Sequence, residues 1–593
     1  WVPPADYRVA EVRLLHNAGT VGDVAGDEDR SKDNLLIRGD ALNALTSLIE
    51  LPEFALEYVG KVKLVYLDPP FNTQQSFLQY DDALEHSVWL TMMRDRLLSI
   101  KTLLSPEGSV WVHCDDSEQA YLKVMMDEVF GRENFVAGII WEKFATRENR
   151  TDISTSHDFI LIYVRDRGAW KRNLLPFGEE QLERYSNPDD DPRGPWSSLP
   201  IHAKAGPGRR KEQFYTITLP SGRAIDPPPG RCWLYVKDRF DELVADKRIW
   251  FGPDGDNAPR VKKFLSEVSQ GLVPKTLWLS EEVGTTGTAK AEVLALFPND
   301  APFATPKPES LLQRVIQIGS DPGDIVLDCF LGSGTTAAIA HKMGRRWVGI
   351  EREAATVESY ALPRLQKVVA GEDPGGITTV ETLVGDNLPD GVKPGDARAA
   401  ARTVDALLRA DAFADIDGLS DSAVKELVRA LRAADKTKRE TIWHGGGGFR
   451  ILTVAPSMFD EVSGQVFLSP WATNGKLAEA TAAQLQYDYA PDPPFCGARG
   501  RSRLAVVDGL VNQDVVRLLV TALGEDEQLL VCGTAIDPAA RETLRELRPG
   551  STVRKIPQSI LHEYQQATRW VQPRLLDTPS EQHVDESVEA VRS

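Results

Sequence analysis

The chain has 593 residues, 42% of them apolar, and a formal net charge of −19. That length suffices for more than one domain with a large core, and no apolar run is long enough to cross a bilayer. The five cysteines are scattered and never in Cys-x-x-Cys spacing, which argues against zinc and for a cytoplasmic location. The sequence begins without methionine and shows no signal-peptide pattern, so we expect the native start to be missing or processed.

A short apolar stretch in the N-terminal part ends in an acid and two prolines. Residues 63–67 have the pattern of a buried parallel strand, and the motif that follows is Asp68–Pro69–Pro70–Phe71. The carboxyl end of such a strand is where open α/β sheets bind ligands, and the prolines stiffen the turn. A carboxylate, a prolyl carbonyl and a flat ring suit a planar heterocycle that carries an amino group.

The same four residue types, Asp-Pro-Pro-Phe, recur at residues 492–495. This second copy follows no buried strand, so we interpret it as an ordinary turn. An ordinary turn is also the alternative interpretation of the first copy.

A second strand-like stretch, residues 325–328, leads into a glycine-rich turn and a helix that begins near Thr335. Another short strand then ends at Glu351. Gly332 and Gly334 permit a tight turn, and a carboxylate at the next strand end can hold ribose hydroxyls. The turn has no third glycine and no Gly-Lys-Ser/Thr, so a nucleoside without phosphate, such as S-adenosylmethionine, fits better than a dinucleotide or a nucleotide phosphate.

Together the two motifs resemble the β-class amino-methyltransferases of DNA, in which the catalytic motif precedes the cofactor motif. Matches to the modification subunits of type III restriction–modification systems lie at residues 89–97, 108–116, 156–163, 283–287 and 303–308. The resemblance covers roughly residues 30–370. It implies an α/β fold with a Rossmann-like, S-adenosylmethionine-dependent methyltransferase sheet in circularly permuted motif order and an inserted target-recognition region.

The resemblance also implies roles for individual residues. Asp68 and the Pro69 carbonyl would accept the two hydrogens of the target amine, Pro70 would complete the motif, and Phe71 would stack on the base. The residues predicted to bind the cofactor are Asp40, Lys307, Asp328, Phe330, Gly332, Gly334, Thr335 and Glu351.

Three of the assignments leave an alternative open. Asp40 would accept from the adenine amino group of the methyl donor, or cap the helix that follows it. Lys307 would meet the methionine carboxylate, or be a surface lysine. Trp89 would stack on bases together with Phe77 and Tyr80, or belong to the core, and we favour the core because it opens an amphipathic helix.

The implied reaction is methyl transfer from S-adenosylmethionine to adenine N6 of a base flipped out of duplex DNA, with no metal required. Within the family an acid before Pro-Pro goes mostly with adenine and a serine mostly with cytosine, so cytosine N4 is the alternative target. The implied partners are duplex DNA, a second copy of the chain and a separate helicase–nuclease subunit. The sequence is also compatible with an orphan methyltransferase and with a catalytically silent relative that binds DNA or a partner.

The periodicity degrades between the two halves, where residues 200–275 contain 14 Lys and Arg against 9 Asp and Glu. We interpret this part as the region that contacts DNA, with an irregular subdomain of solvated charges as the alternative. Its basic stretches lie at residues 192–196, 206–211, 227–231 and 261–263.

Strand-like and helix-like stretches alternate again after residue 500, which predicts a small C-terminal α/β domain. The predicted organisation is an N-terminal arm (1–34), the catalytic half (35–164), the target-recognition region (165–275), the cofactor-binding half (276–370), a linker and helical segment (371–440), the C-terminal α/β domain (441–575) and a disordered tail (576–593).

Overall fold

The structure is a computed structural model in which the chain divides into two compact units. One unit contains Trp1–Lys171 and Leu277–Ser593, and the other contains Arg172–Thr276. The predicted tail, Phe77 and Tyr80 lie outside the described residues. The structure describes residues 12–72, 85–149, 152–205, 210–268, 271–298, 303–385, 395–410, 413, 420–457, 459–462, 465–468 and 475–556.

The part of the first unit that precedes the second contains six strands and four longer helices. The strands are β1 (Leu15–Gly22), β2 (Asn34–Arg38), β3 (Val62–Leu67), β4 (Leu104–Cys114), β5 (Phe135–Glu142) and β6 (His157–Val164). The helices are α1 (Ala41–Glu50), α2 (Pro52–Tyr58), α3 (His86–Leu103) and α4 (Gln119–Phe130).

The second unit is built from short strands around a small apolar core of its own, which includes Ile217, Trp233 and Phe240. Its strands are β7 (Trp196–Pro200), β8 (His202–Lys204), β9 (Ile217–Thr218), β10 (Ala224–Ile225), β11 (Arg231–Trp233), β12 (Ile249–Trp250) and β13 (Arg260–Phe264), and its helices are α5 (Glu179–Leu182) and α6 (Lys237–Ala245). They pair as β12-β13-β7, β11-β8 and β10-β9.

The first unit resumes at Leu277. The next strands of this unit are β14 (Leu277–Trp278), β15 (Ile325–Asp328), β16 (Arg346–Glu351), β17 (Thr379–Gly385), β18 (Asp435–Thr441) and β19 (Gly448–Val454). Its helices are α7 (Ser280–Val283), α8 (Thr286–Leu296), α9 (Glu309–Gly319), α10 (Thr335–Lys342), α11 (Ala354–Thr356), α12 (Leu362–Ala370), α13 (Asp396–Arg409) and α14 (Asp421–Ala434).

The remaining elements lie towards the C-terminus. The strands are β20 (Phe459–Val462), β21 (Gln465–Leu468), β22 (Asp488–Asp492), β23 (Phe495–Arg499), β24 (Ser502–Val511), β25 (Gln528–Ile536) and β26 (Thr552–Lys555). The last five form a separate sheet in the order β22-β23-β24-β25-β26. The helices are α15 (Lys476–Gln484), α16 (Gln513–Thr521) and α17 (Pro538–Leu547).

A ten-stranded sheet in the order β1-β19-β2-β16-β15-β3-β4-β6-β5-β14 forms the centre of the first unit. The six strands from β19 to β4 run parallel. β6 is antiparallel to β4, and β5 is antiparallel to β6. Because parallel strands end at the same edge, the residues after β2, β16, β15, β3 and β4 lie along one line. The predicted Rossmann-like α/β fold class is confirmed.

Two predicted segment assignments differ from the structure. The sequence pattern places β19 in the C-terminal domain, but β19 pairs parallel with β2 in the central sheet. The same pattern places β1 in an N-terminal arm, but β1 pairs antiparallel with β19 and forms the edge of that sheet. The partners of both strands are distant in sequence, so no local pattern indicates the pairing. The predicted linker also contains a regular strand, β17, which pairs with β18.

A buried ionic network fixes the helices that border the cofactor half. The Glu309 carboxylate of α9 accepts from Lys342 of α10 at 2.9 Å and from Arg364 of α12 at 2.8 Å. Lys342 also meets Asp373 at 2.6 Å, and all four side chains are at most 1% exposed. Arg364 donates in turn to Thr335 Oγ1 at 2.7 Å. The network therefore ties the start of α10, which follows the glycine-rich turn, to α9 and α12.

Replacing Lys342 by methionine should destabilise the first unit strongly. The Lys342→Met variant leaves the carboxylates of Glu309 and Asp373 buried beside one remaining guanidinium, and breaking a buried pair costs about 3–5 kcal/mol. Urea unfolding would measure the loss. Lys32→Met is the control, because Lys32 pairs with Asp29 on the surface at 60% and 57% exposure, where a pair contributes roughly 0–1 kcal/mol. Equal losses in both variants would contradict the prediction.

Candidate active site

A cavity of about 820 Å³ lies at the carboxyl ends of the central parallel strands. It brings together eleven of the twelve residues predicted for catalysis and cofactor binding, although they lie far apart in the sequence. The twelfth, Gly334, lies within the same turn as Gly332. The predicted residues that line the cavity are Asp40, Asp68, Pro69, Pro70, Phe71, Lys307, Asp328, Phe330, Gly332, Thr335 and Glu351.

The turn after β3 is held from both sides. The Trp89 indole N–H donates to the Pro70 carbonyl at 2.7 Å. Trp89 is fully buried, which confirms the interpretation of this residue as core. On the other side Asn72 adopts a left-handed φ of 61°, and its amide donates to the buried Glu118 carboxylate at 2.8 Å. The backbone of the motif is therefore fixed, and its side chains project from a rigid support.

Asp68 and Lys307 form an ion pair inside the cavity. Lys307 Nζ lies 2.5 Å from Asp68 Oδ2, and their side chains are 9% and 21% exposed. The same ammonium lies 5.2 Å from the centroid of the Phe71 ring. The cation thus contacts both the carboxylate and the aromatic ring of the Asp-Pro-Pro-Phe motif. Sequence reasoning missed this contact, because the two residues are 239 positions apart and the resemblance assigns Lys307 to the methionine end of the cofactor.

Glu351, the acid at the end of β16, is hydrogen-bonded to the glycine-rich turn after β15. The Gly332 N–H donates to Glu351 Oε2 at 2.8 Å, and the Glu353 N–H donates to Oε1 at 2.9 Å. Gly332 and Gly334 have φ of +54° and +81°, values that side chains rarely adopt. A Cβ at Gly334 would also come within 3.2 Å of the Ala361 backbone. A carboxylate offers about four acceptor positions, so Glu351 can still accept from a ligand hydroxyl.

Asp328 lies buried at the end of β15, where Oδ1 accepts from the Phe330 N–H at 2.9 Å. Burial raises its pKa from the ordinary 3.8 to about 7, against hydrogen bonds from Thr336 and Phe330 that lower it. Burial also raises the pKa of Glu351. The floor of the cofactor half therefore carries less negative charge near neutral pH than its two carboxyl groups suggest.

Asp40 performs the capping role that the sequence left open. Its Oδ1 caps α1 by accepting from the N–H groups of Leu42 and Asn43 at 2.8 and 3.4 Å. Its Oδ2 accepts from Arg96 at 2.8 Å, an ion pair that sequence reasoning missed. Asp40 also lines the cavity, where it can meet a ligand. Its contact with the cofactor stays a prediction.

Asp158 and Lys143 line the cavity as a second ion pair that was not predicted. Their atoms Oδ1 and Nζ lie 2.6 Å apart, and Asp158 Oδ2 also accepts from the buried His113 at 3.2 Å. A signal existed in the sequence: His113 follows three residues of a buried strand, and a polar side chain in such a position requires a partner. The pattern does not say which residue supplies it.

The basic stretches of the second unit are partly engaged within that unit. Lys262 is only 4% exposed, and it pairs with Asp191 at 2.9 Å and with Asp189. Arg193 contacts Asp191 at 2.9 Å and Asp246 at 3.2 Å. Lys262 is therefore a buried structural cation and not a surface contact for DNA, which corrects its inclusion among the basic surface stretches. Lys263 is exposed.

The residues that the structure describes contain no group of three or more His, Cys, Asp or Glu side chains placed to hold a metal ion. None of the helices described is both long and apolar enough to cross a membrane.

Comparison with known proteins matches the region that contains this cavity. The model of a family described as DNA methylase matches residues 62–362. The type III restriction-modification enzyme StyLTI Mod subunit of Salmonella typhimurium is 31% identical over 341 residues, which cover 52% of this chain and 50% of the relative. The probable HindVI Mod subunit of Haemophilus influenzae is 31% identical over 416 residues, which cover 60% and 53%. The chain thus spans about half the length of these relatives.

Among solved structures, a putative DNA modification methylase of Thermus thermophilus, complexed with S-adenosyl-L-methionine, is 18% identical with a TM-score of 0.29. The alignment covers 58% of this chain and 97% of that one.

Replacing Asp328 by asparagine should stabilise the protein in a pH-dependent way. Between pH 3.8 and about 7 the folded state keeps a proton on Asp328 that the unfolded state releases, so wild-type stability falls with rising pH by on the order of 1 kcal/mol per pH unit. The Asp328→Asn variant does not lose stability in this way, because asparagine does not titrate. The difference in melting temperature between variant and wild type should grow from pH 5 to 7 and then level off.

Thermal unfolding at several pH values measures this difference. Asp116→Asn is the control, because Asp116 is exposed and its replacement should change the melting temperature equally at every pH. A flat difference for Asp328→Asn would contradict the burial argument.

Proposed function

We propose, since this chain belongs to the DNA methylase family, that it transfers a methyl group from S-adenosylmethionine to adenine N6 at a specific sequence in duplex DNA. The observation that supports this most is the shared cavity. It places the Asp68–Phe71 motif opposite the glycine-rich turn and Glu351. A nucleoside cofactor and an amino-bearing base can then meet at one edge of the sheet. The proposed context is the modification component of a restriction–modification system, with cleavage carried out by a separate helicase–nuclease.

The residues of the cofactor half fit S-adenosylmethionine. The positive φ of Gly332 and Gly334 allows the backbone to approach a ligand closely. Glu351 would accept from ribose hydroxyls, Asp40 from the adenine amino group, and Lys307 would pair with the carboxylate of the methionine end. The cofactor supplies a methyl group on a positively charged sulfur, which leaves as a neutral thioether.

The catalytic motif would bind and orient the target amine. The exocyclic nitrogen is paired within the DNA stack, so the base must flip out to reach the cavity. Asp68 and the Pro69 carbonyl would accept its two N–H groups, which leaves the lone pair of nitrogen free to attack. Phe71 would pack against the face of the base. As positive charge develops on nitrogen, the Asp68 carboxylate stabilises it and can take up the released proton.

The position of Lys307 adds a requirement to this mechanism. Its ammonium makes the two contacts, with Asp68 and with the Phe71 ring, that the cationic amine of the transition state would make. We infer that Lys307 shifts away from Asp68 Oδ2 when the target base enters, because the ammonium otherwise competes with the amine for this carboxylate. A ligand carboxylate near Lys307 offers the ammonium another partner. Cofactor binding would then open the subsite of the target amine.

Adenine is the proposed target, with cytosine N4 as the alternative. Both bases carry an exocyclic amine that Asp68 and Pro69 could hold, so the geometry of the acceptors does not separate them. The carboxylate at position 68 supports adenine through its resemblance to the acidic motifs that accompany adenine in this class.

The Asp68→Ala variant should abolish methylation of DNA in living cells. Without the carboxylate the amine loses one acceptor and the charge that stabilises the transition state, which should cost at least about a hundredfold in rate. Single-molecule sequencing of DNA from a methylation-free host that expresses the chain measures both the base and the sequence that are modified. Asp492→Ala is a matched control, because Asp492 opens the second Asp-Pro-Pro-Phe and lies exposed in β22.

N6-methyladenine at one motif, absent in Asp68→Ala and retained in Asp492→Ala, is the expected result. Detection of N4-methylcytosine would show that cytosine and not adenine is the target, and it would leave the assignment of the active site unchanged. Loss of methylation in both variants, or unmodified DNA with the wild-type chain, would overturn the proposed assignment of Asp68 or the activity itself.

Lys307→Met should weaken binding of cofactor analogues only if they carry the carboxylate. A charge-assisted hydrogen bond contributes about 1.5–3 kcal/mol, so affinity for S-adenosylhomocysteine should fall roughly tenfold or more. Affinity for 5′-methylthioadenosine, which lacks the amino-acid end, should stay unchanged. Calorimetric titration measures both, with Lys290→Met, another lysine of the cavity wall, as the control. Equal weakening of the two ligands by Lys307→Met would refute the assigned contact.

A further inference from the structure

The Phe71 ring rests on a buried histidine. The rings of Phe71 and His113 are stacked, with centroids 5.6 Å apart and an interplanar angle of 19°. Phe71 lines the cavity, whereas His113 on β4 is completely buried. Phe71 therefore separates the imidazole from the cavity. One face of Phe71 packs on His113, so a ligand can meet only the opposite face, and the Lys307 ammonium lies 5.2 Å from the centroid of the ring.

Both nitrogens of His113 are hydrogen-bonded. Nδ1 lies 2.9 Å from Tyr66 Oη, and Nε2 lies 3.2 Å from Asp158 Oδ2. Asp158 in turn accepts from Lys143 through its other oxygen. The imidazole edge of His113 also contacts the Trp141 ring at 5.4 Å and 87°. The ring can neither rotate nor slide without losing a buried hydrogen bond.

The ionisation of these groups determines the direction of each hydrogen bond. Burial raises the pKa of Tyr66 well above 10, so its hydroxyl keeps the proton and donates to Nδ1. Burial lowers the pKa of His113, which favours the neutral ring. Burial opposes the ionisation of Asp158, but the hydrogen bonds of His113 and Lys143 and the charge of Lys143 hold the pKa of Asp158 below its ordinary value. Nε2 therefore carries the proton and donates to an ionised carboxylate.

An aliphatic side chain beneath Phe71 would fill space without fixing an orientation. A hydrogen-bonded imidazole differs, because its plane is set by Tyr66 on one side and Asp158 on the other. Rings that stack at a small angle share that plane. Phe71 thereby takes its orientation from His113, a buried residue that does not itself line the cavity.

We propose that His113, held by Tyr66 and Asp158, is a positioning residue that sets the plane of Phe71 and, through it, the plane of the flipped base. The inference rests on the proposed methyltransferase function. Asp68 and the Pro69 carbonyl can accept both N–H groups of an amine only if the base lies in the right plane. Small errors of placement cost up to about a hundredfold in rate. His113 thus acts on the reaction without touching substrate.

The test separates this role from a general contribution to the core. His113→Leu removes the ring and both hydrogen bonds, and Tyr66→Phe removes one hydroxyl and leaves the stack. Tyr163→Phe is the matched control, since Tyr163 is a fully buried tyrosine of the same sheet whose hydroxyl bonds to Asp127 at 2.6 Å. Single-turnover methylation is measured on a duplex with the sequence identified in vivo, beside the dissociation constants of DNA and of S-adenosylhomocysteine.

We expect the single-turnover rate to fall about tenfold to a hundredfold in His113→Leu and less in Tyr66→Phe. Both dissociation constants should stay within about twofold, and Tyr163→Phe should keep the wild-type rate. If the His113→Leu variant does not fold, the rate of the Tyr66→Phe variant alone tests the proposal. Wild-type rates in the variants, or an equal loss in Tyr163→Phe, would overturn the proposal.

A second readout needs no reaction. With Phe71 replaced by 4-fluorophenylalanine, the fluorine resonance of the free protein should be single and narrow in the wild-type background. It should broaden or split when His113→Leu is added, because the ring loses its support. An inactive wild-type chain would overturn the proposed function, whereas an unchanged fluorine spectrum would overturn the positioning role of His113 by itself.

Discussion

The parallel pairing of β3 with β15 is the constraint on which the site depends. Val62 and Val65 of β3 lie opposite Ile325 and Leu327 of β15, although the second unit and much of the first separate the two strands in the sequence. Once these strands pair, the turns that follow them must lie side by side at one edge of the sheet. The Asp-Pro-Pro-Phe turn and the glycine-rich turn thereby become the two walls of one cavity.

The interior behind that edge is more charged than a typical core. Glu309, Lys342, Arg364 and Asp373 are almost fully buried, and each has a partner of opposite charge. Such a network stabilises less than apolar packing would, but it is directional. It orients α10, whose first residue accepts from Arg364, and so it determines where the glycine-rich turn opens. Gly376 approaches the Glu309 carboxylate so closely that a Cβ would come within 1.9 Å of it, and only glycine fits there.

The sequence predicted those features that depend on local pattern. β3 and β15 end in acids after short apolar runs, so their fold class and their place at the ligand edge follow from a few residues. Pairings between distant strands do not follow, so the pattern places β1 and β19 in other segments. The sequence did not predict the contacts of Lys307 with Asp68 and of His113 with Asp158, for the same reason. The sequence shows that each partner is polar, but only the three-dimensional structure shows which residue faces it.

Seven carboxyl groups of the described residues line the cavity, and the partners of five of them set Asp68 apart from the other four. Four are held by groups that belong to regular elements or their immediate turns: backbone N–H groups for Asp328, Glu351 and Asp40, and a histidine inside a strand for Asp158. Releasing any of them would expose a buried donor or uncap a helix. Asp158 and Asp40 also pair with Lys143 and Arg96, but each keeps the second partner named above. The partner of Asp68 is the flexible side chain of Lys307, which lies in a loop before α9.

A lysine side chain can change partner by rotating its own bonds, so Asp68 can be released without disturbing the backbone. In the proposed mechanism Asp68 must be held in the empty site and still become available when substrate arrives. A lysine partner allows such a release by bond rotation, whereas a helix N-terminus would not. The contact with Lys307 therefore agrees with the role towards the target amine that is proposed for Asp68.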